Sequence, residues 1–378
     1  MKYRTIAVAA ALGMSNSAFA QSSVTLYGIL DTGIELVTHA NAAGDRVVRM
    51  PGITGSVPSR WGMHGTEDLG GGLAAIFTLE NGFNTRSGDI NQGGRLFGRQ
   101  AWVGMSGPYG TLTFGRQYTM SYWAILDSDA LGPDIYGGLG SLDAYIPNAR
   151  SDNTIAYKGT FSGVTVGATY SFGRDSAGTG NSPGQGTCAG SIPGNSQACR
   201  QWSAMLRYDS NAFGVAGSYD EQRGGPGAAA NFFNGVAPLP LTSSGDKDVR
   251  MQLNGYFKLG QLKVGGGWLG RHVETVLPTV PDVRTNTFYL TGTYLVTPSV
   301  LVDGGLYRTV DQDQDTRATL AALRGTYLLS KRTAVYLQSG YVFNSAKARY
   351  TVSQGGGGTT PAAGTGQLGV MAGIRHTF

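Results

Sequence analysis

From Ser22 onward, apolar and polar residues alternate with a period of two. In the closing segment Leu368, Val370, Ala372, Ile374, His376 and Phe378 share one face, and Gln367, Gly369, Met371, Gly373, Arg375 and Thr377 share the other. One face is mainly apolar and the other mainly polar or small, as in a strand between two unlike environments. Val249, Met251, Leu253, Gly255 and Phe257 oppose Arg250, Gln252 and Asn254 in the same way, and Trp202, Ala204, Leu206 and Tyr208 oppose Ser203, Met205 and Arg207. The pattern predicts an all-β chain.

The connections sort by length. Tight turns are expected at 68–72, 107–110, 159–163, 209–214, 260–261, 297–299 and 330–332, with longer polar segments between them at about 39–57, 85–95, 118–150, 174–199, 224–246, 274–284, 310–316 and 348–365. Seven short and eight long connections join sixteen strands. A soluble sandwich has no reason to gather its short connections at one rim, whereas an antiparallel barrel crossing a membrane does. The face opposite the apolar one also carries Arg60, Arg207, Arg250, Arg324 and Arg375, more charge than a dry core accepts but tolerable around water. Backbone groups in lipid must all be paired, so the sheet has to close. The expected fold is one domain over residues 21–378, a sixteen-stranded antiparallel transmembrane β-barrel.

Residues 1–20 read as a secretory signal: Lys2 and Arg4 form a basic end, 6–14 an apolar core, and Ala18-Phe19-Ala20 a small-x-small cleavage site. Without it the chain keeps 27 basic and 24 acidic side chains, too even a balance to argue for nucleic acid. Glycine supplies 60 of the 378 residues and charged residues only 14%, against about 25% in soluble proteins. No apolar run of about 20 residues follows the signal, which excludes a helical membrane protein. The 38 aromatic residues (14 Phe, 19 Tyr, 5 Trp) spread along the chain argue against disorder.

Cys188 and Cys199 lie in a Gly/Ser/Pro-rich stretch; in an exported protein they read as one disulfide closing a surface loop, since zinc would need further ligands nearby. His39, His64, His272 and His376 are too scattered for a metal motif, and no cofactor is called for. Two enzyme-like patterns are set aside. The G-x-S-x-G match at 180–184 lies in a loop rather than between a strand and a helix, and the G-x-G-x-x-G match at 364–369 is followed by neither a helix nor a distant acid.

The segments QSSVTLYGILDTGIE, SRWGMHGTEDLGGGLAAIFTLENGF and RQAWVGMSGPYGTLTFGRQYT, and the ending GVMAGIRHTF, resemble the general porins of Gram-negative bacteria, especially those of β-proteobacteria. The resemblance runs through the whole mature chain. It implies short periplasmic turns, long extracellular loops, a third long loop folded into the lumen, a homotrimer in outer-membrane lipid and lipopolysaccharide, and a terminal Phe378 read by the barrel-insertion machinery. His376 departs from the aromatic or aliphatic residue more usual there.

The third long loop carries Asp127, Asp129, Asp134 and Asp143 and no Lys or Arg between 118 and 148, and the resemblance places these acids at a constriction. Opposite them, Arg60, Arg99 and Arg150 match the constriction arginines of anion-preferring relatives, with Glu80 as the acid. Alternation places Arg60 and Glu80 inward but puts Arg99 on the lipid side with Ala101 and Val103, so Arg99 needs a bulge or a strand end. Arg116 shares the parity of Leu112 and Phe114, and the resemblance suggests a trimer contact with the second long loop. The implied function is passive diffusion of small hydrophilic solutes and ions, with a weak preference for anions. A substrate-specific channel would show an aromatic ladder, for which Tyr122, Trp123, Tyr136 and Tyr145 are candidates within one loop. An outer-membrane hydrolase would need a Ser/His pair on the outer surface, where parity offers only His376.

Overall fold

The computed structural model describes residues 23–52, 54–142, 149–174, 188–353 and 357–378. The signal segment, Asp143, Tyr145 and the G-x-S-x-G match at 180–184 lie outside the described residues. In chain order the strands are β1 (Ser23–Val37), the short β2 (Val47–Arg49), β3 (Arg60–Gly70), β4 (Leu73–Gly82), β5 (Gln100–Gly107), β6 (Gly110–Tyr118), β7 (Arg150–Phe161), β8 (Val164–Ser171), β9 (Gln201–Asp209) and β10 (Phe213–Arg223). A two-residue pair follows, β11 (Ala229–Ala230) and β12 (Leu239–Pro240). The rest are β13 (Lys247–Leu259), β14 (Leu262–Glu274), β15 (Val283–Thr297), β16 (Val300–Asp311), β17 (Thr316–Leu328), β18 (Thr333–Asn344) and β19 (Gln367–Thr377).

Setting aside β2, β11 and β12, sixteen strands form one antiparallel sheet that closes where Ile29–Val37 of β1 pairs with Gly369–Thr377 of β19. The first half of β1 pairs with β3 and its last three residues with β2, leaving a gap at Asp31. The loop before β3 fills it: the Asp31 amide donates to Ser59 Oγ, and its carboxylate accepts from the amides of Ser56 and Val57 at 3.1 and 3.0 Å. Closure leaves no strand edge that lipid would have to solvate.

The face exposed to the surroundings is the apolar one. Leu206, Leu253, Leu290 and Leu337 are each about 60% exposed, whereas Arg250, Gln252 and Asn254 are buried on the inner side. This inversion suits lipid outside and water within, and it excludes a sandwich core. All seven tight turns are present at one rim. The third begins later than its glycine suggested: β7 runs on to Phe161, and the turn is Ser162-Gly163 with φ of 50° and 84°, the pair of positive values a two-residue hairpin of this twist requires. One connection expected to be long, between β16 and β17, shrinks to residues 312–315 because both strands extend.

Cys188 and Cys199 are joined, and the bond is buried rather than lying in an exposed loop. It packs with Ala228, Ala230, Phe232, Leu241, Val273 and Val283 in a small apolar core at the long-loop rim, where Gly224 O accepts the Cys199 amide at 2.8 Å. Apart from Val273 and Val283 at the ends of β14 and β15, the core is built from residues outside the barrel strands. Replacing both cysteines with serine should therefore leave barrel assembly intact while loosening residues 188–241, at a cost of about 3 kcal/mol at most in the chain-entropy estimate. Limited proteolysis with and without reductant checks this; loss of the folded barrel would contradict it.

Candidate pore constriction

The third long connection, described over 119–142, folds into the barrel because the inner wall from β14 to β19 is unexpectedly apolar. Leu269, Tyr289, Tyr307, Leu320, Tyr336, Val342 and Met371 form a cluster with Ile125, Leu131, Ile135, Tyr136 and Leu142 of the loop. Burying such side chains contributes roughly 1.5 to 3 kcal/mol each. The loop carries two short helices, α1 (Met120–Ile125) and α2 (Gly138–Ser141). Tyr136 lies against Gly340 and Gly369, where any side chain would strike its ring. Gly369 belongs to the G-x-G-x-x-G match, which is thus a packing feature.

Polar latches hold the loop along a wider stretch of wall, from β9 to β17. Ser203 Oγ accepts the Met120 amide at 2.9 Å, Gln252 Nε2 donates to Ser121 O at 3.3 Å, and Thr291 Oγ1 accepts the Ala130 amide at 3.1 Å. Tyr307 donates to Asp129 at 2.6 Å, and Arg324 bridges Asp134 at 2.7 Å and Asp303 at 2.8 Å. Asp129 and Asp134 are only 6% and 4% exposed. Burial pushes the Asp129 carboxyl up against the Tyr307 hydrogen bond, and the Asp134 carboxyl up to about 7 against the pull of Arg324. Both acids face the wall. Asp127 alone of the described loop acids keeps a partly exposed carboxylate, at 41%, and it is matched by Arg207 at 2.5 Å and Lys263 at 3.5 Å.

A second cluster occupies the wall from β3 to β7 and brings together four of the singled-out residues. Glu80, on β4, accepts from Arg99 Nε at 2.7 Å and lies 3.5 Å from Arg60 Nε at the start of β3. Tyr27 donates to the same carboxylate at 2.9 Å. Arg99 also donates to Tyr118 Oη at 2.9 Å, and Arg150 donates to that oxygen at 3.1 Å while its guanidinium lies 4.6 Å from the ring centre. Tyr122 stacks on Tyr118 at 3.8 Å. Parity fails for Arg99 because it precedes β5 in a bend, which frees its side chain to turn inward. Burial opposes the Arg99 charge, but Tyr118 and Glu80 outweigh it and hold its pKa above the ordinary arginine value. Three guanidinium groups around one carboxylate leave the cluster with two excess positive charges, of which Arg60 is the most open at 22% side-chain exposure.

A family model of Gram-negative porins matches residues 6–347. The chain belongs to that family. It is 32% identical to an outer membrane porin protein of Bordetella pertussis over 92% of this chain and 95% of that one. It is 30% identical to outer membrane porin protein 32 of Delftia acidovorans over the full length of both. The structure of an anion-selective porin from Comamonas acidovorans covers 95% of this chain at 25% identity with a TM-score of 0.76. The protein is an integral outer-membrane porin, and its barrel is a channel.

Within this porin Arg116, expected at a contact between protomers, meets the second long loop of its own chain. It donates to Gly98 O at 2.7 Å and Asp152 at 2.5 Å and is 7% exposed. A bulge makes this possible: the β6–β7 register shifts between Gly115 and Gln117, with Asp152 and Asn153 opposite Arg116. Phe378 is 43% exposed on the lipid side, and its backbone exchanges two hydrogen bonds with Gly28 across the barrel seam. Tyr27, Tyr118 and the latching Tyr307 were not singled out beforehand. Inward parity marks Tyr27 and Tyr307, and Tyr118 ends its strand beside the acidic loop.

Proposed function

We propose that this porin is a general diffusion channel with a weak preference for anions, passing small hydrophilic solutes through a narrowing between the arginine cluster and the third loop. The observation that carries the reading is the charge imbalance: Arg60, Arg99 and Arg150 surround a single carboxylate, whereas the water-facing Asp127 is neutralised by its own bases. Anions gain at such a site, because fixed charge in a narrow lumen acts on ions at short range. Asp129 and Asp134 serve in this reading as ties that set the loop's position. The anion-selective porin of Comamonas acidovorans, alike in fold and sequence, supports the sign.

The short turns face the periplasm and residues 1–20 direct export in this reading. The assembly is a homotrimer; an outer membrane protein of Vibrio cholerae with this fold at 16% identity has a trimer form. The reading as a conduit rather than a catalyst rests on the family, and lipopolysaccharide and the insertion machinery enter as expected partners. A substrate-specific channel is less favoured, because Tyr136 is buried in the wall and Tyr122 is stacked on Tyr118, which leaves no aromatic ladder from these residues. Reversal potentials across a planar bilayer under a salt gradient test the sign, and solute-driven swelling of porin-loaded vesicles tests the breadth. A cation-selective potential would overturn the anion preference.

Deleting Phe378 should lower the amount of porin in the outer membrane, since both seam hydrogen bonds and the terminal aromatic are lost together. The channels that do insert should keep their single-channel conductance, because the ring lies on the lipid side. Quantitative immunoblots of outer-membrane fractions and bilayer recordings check the two halves; normal insertion with altered conductance would contradict both.

A further inference from the structure

Below the arginine cluster, on the short-turn side, the wall and the start of the third loop enclose a recess of about 320 Å³ open to the lumen. The volume falls at the small end of the range for small-molecule sites, about 300 to 1,000 Å³. Its inner wall carries Trp102, with Gln100 Oε1 accepting from the indole Nε1 at 3.0 Å, and its roof carries Trp123 of α1. Lys158, facing inward from β7, holds its Nζ 3.6 Å from the centre of the Trp123 ring. Among the described residues no carboxylate lies within ion-pairing distance of Lys158, in contrast to Arg99 and Arg207. The recess thus joins two half-buried indoles to a cation whose counter-charge has to come from solution.

We propose that this recess is a binding subsite for solutes that combine a flat ring with one carboxylate, the class of aromatic monocarboxylic acids. The ring stacks on Trp102, where offset or edge contacts between aromatic groups are favourable, while Trp123, one face of which Lys158 covers, closes the roof above it. The carboxylate pairs with Lys158, and Gln100, whose Oε1 already holds the Trp102 indole, presents its amide nitrogen to ring substituents. Acetate offers the charge without the ring, phenol the ring without the charge, and glucose neither, so each lacks half of the recognition or more. The reading of the arginine cluster enters only in delivering the anion; retention depends on the recess.

The test is single-channel recording of the purified full-length porin in a planar bilayer with 4-hydroxybenzoate added on the short-turn side. Brief reversible current interruptions are expected with 4-hydroxybenzoate and not with acetate, phenol or glucose at the same concentration. Trp102→Ala should shorten the interruptions about tenfold, the change that one lost contact of this class produces. Lys158→Gln should shorten them by a similar factor and remove their salt dependence, while Trp102→Phe should restore most of the dwell time, which separates a lost ring from a disturbed wall. Absence of interruptions, equal interruptions by acetate, phenol or glucose, or unchanged dwell times in Trp102→Ala and Lys158→Gln would each overturn the proposal. An Arg60→Ala channel with an unshifted reversal potential would defeat the constriction reading alone.

Discussion

Arg60→Ala will move the permeability of this porin toward cations, and Arg150→Ala will do so to a smaller degree. At an effective dielectric of about 20, a unit charge 4 Å from a passing ion is worth about 4 kcal/mol before screening. A tenth of that changes an ion ratio about twofold. Arg60 is the most open member of the cluster, and Arg150 is 8% exposed, which sets the order of effects. Arg99→Ala is a poorer probe, since it also strips Glu80 of its closest partner. Asp127→Asn should shift permeability the other way by leaving Lys263 in excess, since Arg207 keeps its pairing with Asp209. All these shifts should shrink at 1 M salt, where the screening length falls to about 3 Å. Reversal potentials for the variants decide the matter, and unchanged values throughout would remove these residues from the narrow part of the lumen.

The architecture was legible from alternation and loop lengths because both follow from one physical demand, a closed sheet between lipid and water. Arg60 and Glu80 were legible for the same reason: each lies inside a strand whose parity holds. Arg99 and Arg116 were not, since the bend before Gln100 and the bulge at Asp152 and Asn153 break the period of two at those positions. The direction of the loop acids was also hidden. An acidic loop reads as a water-facing surface unless something apolar pulls it against the wall, and here the pull comes from Leu269, Tyr289, Tyr307, Leu320 and Tyr336, which follow it by more than a hundred residues. Their signal was present in sequence as large apolar side chains at inward parity, where a water-filled lumen calls for polar ones. The buried disulfide core was hidden for a similar reason, because Phe232 and Leu241 come from the next long loop.

The wall-facing acids lead to the prediction with the greatest structural reach. Arg324→Ala should release the third loop from one of its principal ties and widen the channel. Its guanidinium serves Asp134 on the loop and Asp303 on the wall together, so its removal leaves two buried carboxylates facing each other. Breaking a buried pair in this manner costs about 3 to 5 kcal/mol. The strand ladder does not depend on the tie, so the barrel should still form, while the loop samples positions away from the wall. Larger open-channel current, greater current noise and faster vesicle swelling with larger sugars are the expected readouts. Asp134→Asn should be much milder: it removes one charge of the pair but keeps an acceptor for the Tyr136 amide, which the carboxylate now binds at 2.8 Å. Tyr307→Phe, which removes only the hydroxyl that donates to Asp129, should fall between the two. If all three variants keep the current and noise of the parent channel, the apolar seat of Tyr136 against Gly340 and Gly369 holds the loop without the ionic tie, and the function of Arg324 would then be confined to neutralising Asp303.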